Sequence, residues 1–348
     1  MSIKNYGVVT GRVFERILAT KTDEHYQILL NHGDDPHRVA VNTQSTTPPS
    51  QVLFYADVNF KHPITDAILQ ANLPTGFTAL PSKPGGIALD FIRGNLFDPS
   101  AMVPLPESAP GAGNDLNDQL DLTVQQAISD ADAVLYAFGQ HWVDASGKDK
   151  YFPEINPSTG IHDIHMNQGN PKGSFFGDNG PYQDGGLIFH FPSRNRWAGI
   201  FTAFQSQAFH TDDQTGNPVT DPGTGTNPGT GAPDPGQPQN ATPVHIAAAL
   251  VNPKGGDPGK EYVLLLNTGT SAVDLSGWAI ADAHKNRDSI GKHTLQPGDT
   301  FRVNLTGHGA QLGNKGGIIT LLNAKGLKVA GVTYTKADAA TEGALVDF

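Results

Sequence analysis

The 348-residue chain contains no cysteine and only three methionines and three tryptophans. The lack of cysteine excludes disulfide bonds, thiolate metal sites and a thiol nucleophile. No apolar run approaches membrane-spanning length, and the opening stretch MSIKNYGVVTGRV lacks the apolar core of a classical secretion signal. We therefore expect no membrane span, and either a cytoplasmic location or export by a non-classical route.

Positive charge is also scarce, because 23 Lys and Arg stand against 34 Asp and Glu, which gives a net charge of −11. Tight binding to nucleic acid independent of sequence requires clustered Lys and Arg that displace counterions from phosphates. We therefore expect no strong nucleic-acid binding. A small site that acts on a phosphodiester is not excluded by this charge.

Glycine and proline are abundant, with 40 and 26 residues, which favours β-structure with many turns. Stretches such as YGVVTGRVFERILA, HYQILL and GGLIFHF read as strands. The segment 114–131 has apolar residues at helical spacing, with Asp115 or Asn114 as a possible N-cap. The sequence predicts a mainly β protein, with a β-rich mixed N-terminal domain that includes one or two helices.

Residues 213–243 form the clearest boundary, because they hold six Gly, seven Pro and six Thr with no aromatic or basic residue. Such a segment buries too little apolar surface to offset its ordering entropy. It is predicted to be a disordered linker between a domain over residues 1–212 and a second domain over residues 244–348.

The second domain reads as a small β-sandwich, with apolar runs separated by the turns NTGT, QPGD and NAKG. The stretches KEYVLLLNTGTSAVDLSGWAIAD, HTLQPGDTFRV and GGIITLLNAKGLKV resemble the lamin tail domain over about residues 243–336. This resemblance implies an immunoglobulin-like fold and a role in binding or placement through an unidentified ligand or protein partner. Trp278 is expected in its core.

Sequence stretches that span the first domain include YGVVTGRV, LDFIRGNLFDP, NDLNDQL, DIHMNQGN, QDGGLIFHFP and AFQSQAFHTDD. In these stretches the domain is similar to the YukJ-like family of uncharacterised bacterial proteins. The family implies no established activity, so candidate chemistry must come from the residues themselves.

The run GIHDIHMNQGN at 160–170 concentrates polar side chains between two Gly- and Pro-containing breaks, so it is predicted to be a strand. With a side-chain period of two, Asp163, His165 and Asn167 would share a face toward a cleft. Ile164 would face the core, and His162 is interpreted as a core or edge histidine.

A second predicted strand, YQDGGLIFHFP, places Asp184 and His190 on one face. If it pairs with residues 161–167, His190 lies near His165, and Gly185 lets a backbone or ligand approach. Further candidates are His25 with Gln27, and the stretch QSQAFHTDD with Gln205, Gln207, His210 and Asp212.

Three hypotheses follow from these residues. The first is hydrolysis of a phosphodiester or related bond, because a histidine pair can supply both base and acid near neutral pH. The candidate catalytic residues are His165, His190, Asn167 and His25. HMN and HYQ superficially resemble the His-x-Lys pairs of the phospholipase D superfamily, but Asn and Gln replace the phosphate-binding Lys.

The second hypothesis is a hydrolase that depends on a divalent metal ion, because two His and carboxylates leave open positions for water and substrate. The candidate ligands are Asp163, His165, Asp184 and His190. The third hypothesis is a non-enzymatic binding or assembly protein in which the His, Asn and Gln side chains form a structural polar network.

Two further patterns bear on these hypotheses. In LDFIRGNLFDP, Asp90 and Arg93 are predicted to form a structural ion pair. No GxSxG elbow, HExxH motif or strand–GxGxxG–helix setting occurs, so no serine hydrolase, zincin or dinucleotide-binding signature is present.

Overall fold

A computed structural model describes residues 3–31, 33, 35–45, 51–98, 101–144, 147–169, 180–205, 243–324, 326 and 328–348. The predicted linker, apart from Pro243, lies outside the described residues, and so do Gln207, His210 and Asp212. The predicted domain boundaries therefore remain a prediction.

Eleven strands form the sheet of the N-terminal domain. They are β1 (Tyr6–Gly11), β2 (Val13–Ile17), β3 (His25–Leu30), β4 (His37–Asn42), β5 (Val52–Asp57), β6 (Gly76–Ala79), β7 (Val103–Leu105), β8 (Val134–Val143), β9 (Thr159–His162), β10 (Gly186–Phe191) and β11 (Arg196–Phe204). The described part of this domain contains two α-helices, α1 (Ile64–Ala71) and α2 (Leu116–Ser129).

Strand β8 is the centre of this sheet because it pairs with three other strands. One edge pairs with β1, which in turn pairs with β6. The other edge pairs with β10 over the first half of β8 and with β9 over the second half. The sheet therefore forks into one wing of order β9-β4-β3-β2, with β9 and β4 parallel, and another of order β10-β11-β5-β7.

Two apolar cores lie on the two faces of the sheet. On one face α2 packs with Leu116, Leu120 and Val124, all 0% exposed, against a cluster that includes Ile161 and Phe189. Asp115, one of the two N-cap candidates in the sequence, caps this helix by accepting a hydrogen bond from the backbone N–H of Asp118 at 2.8 Å. On the other face α1 and residues 87–97 cover the wing that contains β10 and β11.

The β9 wing carries polar side chains on the face that lies opposite the α2 core. Register alignment puts His25 across from Asn42, and Gln140 across from His162. In both pairs the neighbouring residues Tyr26 and Ile161 belong to the α2 core, so the paired polar residues point the other way.

The chain returns to the fork after β9 and packs against Gly185, directly before β10. A Cβ atom on Gly185 would lie 2.2 Å from the carbonyl oxygen of Asp163 and 2.5 Å from the amide nitrogen of His165. The amide of Gly185 donates a hydrogen bond to the carbonyl of His165 at 2.8 Å. The glycine therefore serves a close backbone approach, one of the two roles that the sequence predicted for it.

The C-terminal domain consists of short antiparallel sheets. Its strands are β12 (Val244–Leu250), β13 (Tyr262–Asn267), β14 (Val273–Asp274), β15 (Ala279–Ala281), β16 (Arg287–Ser289), β17 (Thr294–Leu295), β18 (Thr300–Asn304), β19 (Gly316–Leu322), β20 (Lys328–Thr335) and β21 (Val346–Asp347). The orders are β18-β13-β12-β21, β14-β17 and β16-β15-β19-β20. These sheets enclose a separate core in which Trp278 is 8% exposed.

The architecture confirms the predicted mainly β fold, with two helices and an immunoglobulin-like C-terminal domain. Among the described residues, no helix combines the length and apolarity that a membrane crossing requires.

Replacement of Gly185 by alanine is expected to lower the free energy of unfolding by about 2 kcal/mol, because the added methyl group overlaps the backbone of residues 163–165. Urea unfolding of the full chain measures this change. Gly86→Ala is the matched control, because its Cβ would meet nothing closer than 4.0 Å. Equal stability of the two variants would contradict the close packing at Gly185.

Candidate functional site

The predicted strand over residues 160–167 ends at His162 in the structure. Asp163 adopts a left-handed backbone conformation with φ of 57°, which a continuing strand does not allow. The alternation of side chains stops there, so the expected shared face of Asp163, His165 and Asn167 is wrong. The buried positions of Ile164 and Met166, 1% and 4% exposed, agree with the sequence prediction.

The left-handed turn places the Asp163 carboxylate between two imidazoles. Asp163 Oδ1 lies 3.1 Å from His162 Nδ1 and 4.0 Å from His165 Nε2. The side chains of His162 and Asp163 are 32% and 33% exposed, and that of His165 is 12% exposed, so solvent reaches this group. We call His25, His162, Asp163 and His165 the histidine–aspartate site.

Each imidazole has one nitrogen whose role is set by its partner. His165 Nδ1 lies 2.7 Å from the carbonyl of Met166, which can only accept, so Nδ1 carries the proton in the neutral ring. His25 Nε2 lies 3.3 Å from Asn42 Nδ2, which can only donate, so His25 Nε2 accepts. The hydrogen bond from His162 Nδ1 to Asp163 leaves His162 Nε2 as the proton acceptor.

The charges in this group influence one another. Burial lowers the pKa of His165, against the opposing effects of Asp163 and the Met166 carbonyl. Burial, and then repulsion by His162, lower the pKa of His25. Burial opposes ionisation of Asp163, but the hydrogen bond from His162 and the nearby His165 lower the pKa of this carboxyl. These directions favour the neutral form of His25 and His165 and the ionised form of Asp163.

The interpretation of His162 as a core or edge histidine is wrong. Its side chain is one-third exposed and forms the shortest contact with Asp163. A period-two pattern gave it the apolar face shared with Ile164, but the reversal at Asp163 separates the two side chains. The sequence contains one signal for this reversal, because aspartate is among the few residues that enter the left-handed region readily.

Asp184 and Asn167 belong to a separate, buried polar network. Asp184 is 0% exposed. Its Oδ1 accepts a hydrogen bond from the backbone N–H of Asn167 at 2.6 Å. Its Oδ2 accepts two hydrogen bonds, one from the backbone N–H of Phe91 at 2.6 Å and one from Gln168 Nε2 at 2.5 Å. Asn167 is 5% exposed, and its amide lies beside Gly180. Neither side chain joins the histidine–aspartate site.

The same network contains the ion pair that the sequence predicted. Arg93 Nη1 lies 2.8 Å from Asp90 Oδ2, with both side chains at most 2% exposed, and donates to Gln168 Oε1 at 2.6 Å. Asp90 and Gln168 share Arg93 Nη1, and Asp184 accepts from Phe91 and Gln168, so the network holds residues 90–93 against Gln168 and Asp184.

His190 lies far from His165, so the predicted pairing of these histidines is wrong. His190 stacks on Trp197 at 4.0 Å between ring centroids, and its strand neighbour on β8 is Val134. It stands five residues along the strand from Gly185, which packs on His165, and five residues span about 16 Å. Burial lowers the pKa of His190, and Asp132 opposes this effect.

The predicted metal ligands therefore do not converge. Asp163 and His165 lie together, Asp184 is in the buried network and His190 is on the far end of β10. Within the described ranges, no group of three or more His, Asp or Glu side chains has the arrangement of a metal site.

Burial and the charge of Asp90 raise the pKa of Asp184 to about 8, despite the N–H groups that donate to it. In an unfolded chain, the pKa of an aspartate side chain is about 3.9. Between these values the folded protein holds a proton that the unfolded chain has released. The contribution of this proton to the free energy of unfolding is complete below about pH 4 and is lost as the pH rises to about 8.

We expect the difference in unfolding free energy between the native protein and Asp184→Asn to shrink as the pH rises from 5 to 8, by at most about 1.4 kcal/mol per pH unit. Urea unfolding at each pH measures it. The comparison cancels the titration of the histidines, which both proteins share. Parallel pH profiles would contradict a raised pKa at Asp184.

Comparison with known proteins finds a separate match for each of two parts of the chain. Residues 1–216 match the family model described as an uncharacterized conserved protein, DUF2278, and residues 237–336 match the Lamin Tail Domain model. The uncharacterized protein YukJ of Bacillus subtilis (strain 168) is 38% identical over 224 residues, which cover 64% of this chain and 96% of that protein. The relative thus corresponds almost wholly to the N-terminal domain.

The first-domain family carries no described activity, so the histidine–aspartate site has no assigned role within it. The chain belongs to the DUF2278 family of YukJ-like proteins and carries a C-terminal lamin tail domain.

Proposed function

We propose that the N-terminal domain is a hydrolase that uses the histidine–aspartate site for acid–base catalysis, with phosphodiesters as the first substrate class to test. The observation that carries this proposal is the position of the Asp163 carboxylate between His162 Nδ1 and His165 Nε2.

His162 is the proposed general base. Its Nδ1–H is held by Asp163, which orients the ring and stabilises the imidazolium that forms when Nε2 accepts a proton. In the proposed step, His162 Nε2 takes a proton from water while the water oxygen forms a bond to phosphorus.

His165 is the proposed general acid. Its Nδ1 is committed to the Met166 carbonyl, so a proton that it transfers must leave from Nε2, the nitrogen that faces Asp163. The bond from phosphorus to the leaving oxygen breaks, and that oxygen receives the proton. Because burial lowers the pKa of His165, its acid form becomes more populated as the pH falls, and hydrolysis should speed up in that direction for as long as the general base stays unprotonated.

A fixed guanidinium near the site supports an anionic substrate. Arg38 lies on the same face of the sheet as His25 and lowers the pKa of that histidine. Its Nη1 donates to Gln27 and its Nε to Asp149, both at 2.8 Å, so the guanidinium is held in place. Because Asp149 is ion-paired with this guanidinium, Arg38 would favour phosphate through its directed N–H groups and not through an unpaired positive charge.

The lamin tail domain completes the proposal as a binding or placement module for an unidentified ligand or protein partner. The alternative function is a non-enzymatic binding or assembly protein. The buried network around Asp184 favours it, because that network accounts for Asn167 and Asp184 by structure alone.

Asp163→Asn is expected to reduce hydrolysis of a chromogenic phosphodiester by about a hundredfold or more, because the amide neither stabilises an imidazolium nor fixes the ring of His162. Asparagine tolerates the left-handed backbone, so the melting temperature should change little. His162→Gln and His165→Gln should show comparable losses in the same assay.

His190→Gln is the matched control, since the structure places this histidine outside the site. Full activity in Asp163→Asn would overturn the proposal. If the native protein binds a phosphodiester without turnover, the binding function replaces the hydrolase.

A further inference from the structure

The outer face of the tail-domain sheet is covered, although it points away from that domain's core. Ile319 and Leu321 on β19 face inward. Two residues of the outer face are nevertheless buried, because Thr320 is 4% and Leu322 is 0% exposed. An outer strand face with this burial must pack against another part of the chain.

Asn95 of the N-terminal domain inserts into this face. Its side chain is 3% exposed, and its Nδ2 donates to Thr320 Oγ1 at 2.9 Å and to the carbonyl of Ile319 at 3.2 Å. Lys328 on β20 donates to Asn95 Oδ1 and, at 2.8 Å, to the carbonyl of Ile92. Four hydrogen bonds thus join residues 92–95 to two neighbouring strands of the tail domain.

A glycine makes the insertion possible. Gly331 pairs with Thr320 on the same outer face, and a Cβ atom there would lie 2.2 Å from Asn95 Oδ1. On the other side of the contact, His62 holds the backbone in place, because its Nε2 lies 2.9 Å from the carbonyl of Gly94. Asn95 itself has a left-handed φ of 48°, which presents its amide to the strands.

The docked segment is continuous with the buried network. Arg93 donates to Gln168, Gln168 donates to Asp184, and the next residue, Gly185, donates its amide to the carbonyl of His165. A chain of packed polar groups therefore runs from the tail domain to the backbone of the histidine–aspartate site.

We propose that the tail domain is a docking partner for the N-terminal domain of its own chain, through the outer face of β19 and β20, and that this docking stabilises the loop at 90–95 and the network beneath it. An external ligand must then bind the tail domain elsewhere. The docking does not depend on catalysis, whereas any effect on hydrolysis rests on the proposed function.

The lack of cysteine allows a direct test by cross-linking. Gly331 Cβ would lie 2.5 Å from Asn95 Cγ. One further bond of about 1.5 Å leads to Asn95 Cβ, so the two Cβ atoms would lie no more than about 4.0 Å apart, within reach of a disulfide. In the full chain, the pair Asn95→Cys with Gly331→Cys should form an intramolecular disulfide on mild oxidation.

The matched control pairs Asn95→Cys with Gly291→Cys, a tail-domain position whose Cβ would meet no atom within 4 Å. It should form no intramolecular bridge. Disulfide-linked dimers in place of an internal bridge would overturn docking within one chain, and so would equal cross-linking of the two pairs.

Hydrogen exchange gives a second measurement that does not need cysteines or activity. Gly331→Gln should displace Asn95 and speed exchange of the Phe91 amide, which donates to Asp184, by about tenfold. Gly291→Gln should leave that exchange unchanged. An unchanged rate in Gly331→Gln would overturn the coupling of docking to the network, even if the disulfide forms.

Discussion

The close packing of residues 163–165 against Gly185 is the constraint on which the candidate site depends. The sheet forks on β8, where β9 leaves and β10 begins, and the chain between these strands must return to the fork. Without a side chain at position 185, the backbone of Asp163 and His165 can lie directly on the start of β10. That approach fixes the left-handed turn at Asp163, and the turn brings its carboxylate between two imidazoles.

Two groups of polar residues meet at this fork and serve different physical purposes. The network of Asp184, Asp90, Arg93 and Gln168 is almost fully buried, and its hydrogen bonds tie separate loops together. The histidine–aspartate site is reached by solvent and places imidazoles beside a carboxylate. The buried network stabilises the framework that positions the accessible site, so one does not replace the other.

The fold could largely be predicted from the sequence because it depends on periodic patterns. Alternation marked β10, whose inward residues Leu187 and Phe189 are both 0% exposed, and helical spacing with a capping Asp115 marked α2. Both patterns repeat over several residues, so one irregular position does not change the outcome.

The site could be predicted only in part because it depends on single, non-periodic events. Asp163 and His165 were assigned to one site, and the structure brings them together, but through a reversal instead of an extended strand. Because of the same reversal, His162 belongs to the site and Asn167 points into the interior. No spacing rule shows that β9 and β10 leave β8 at different points, so the separation of His165 from His190 required the three-dimensional topology.

The association of the domains is likewise absent from any local pattern. Asn95 and Gly331 are separated by more than two hundred positions in the chain, and each resembles an ordinary turn or strand residue in its own segment. Their contact gives the tail domain a partner that the resemblance to lamin tail domains alone does not supply.

The central claim is that Asp163 electrostatically joins the surrounding histidines into one site. An NMR pH titration of the imidazoles in the native protein and in Asp163→Asn tests it most directly. The pKa values of His25 and His165 should lie below the ordinary imidazole value, and both should fall further in the variant, because Asp163 raises each of them. His190 should titrate identically in the two proteins. Unchanged titration of His25 and His165 in the variant would contradict the claim.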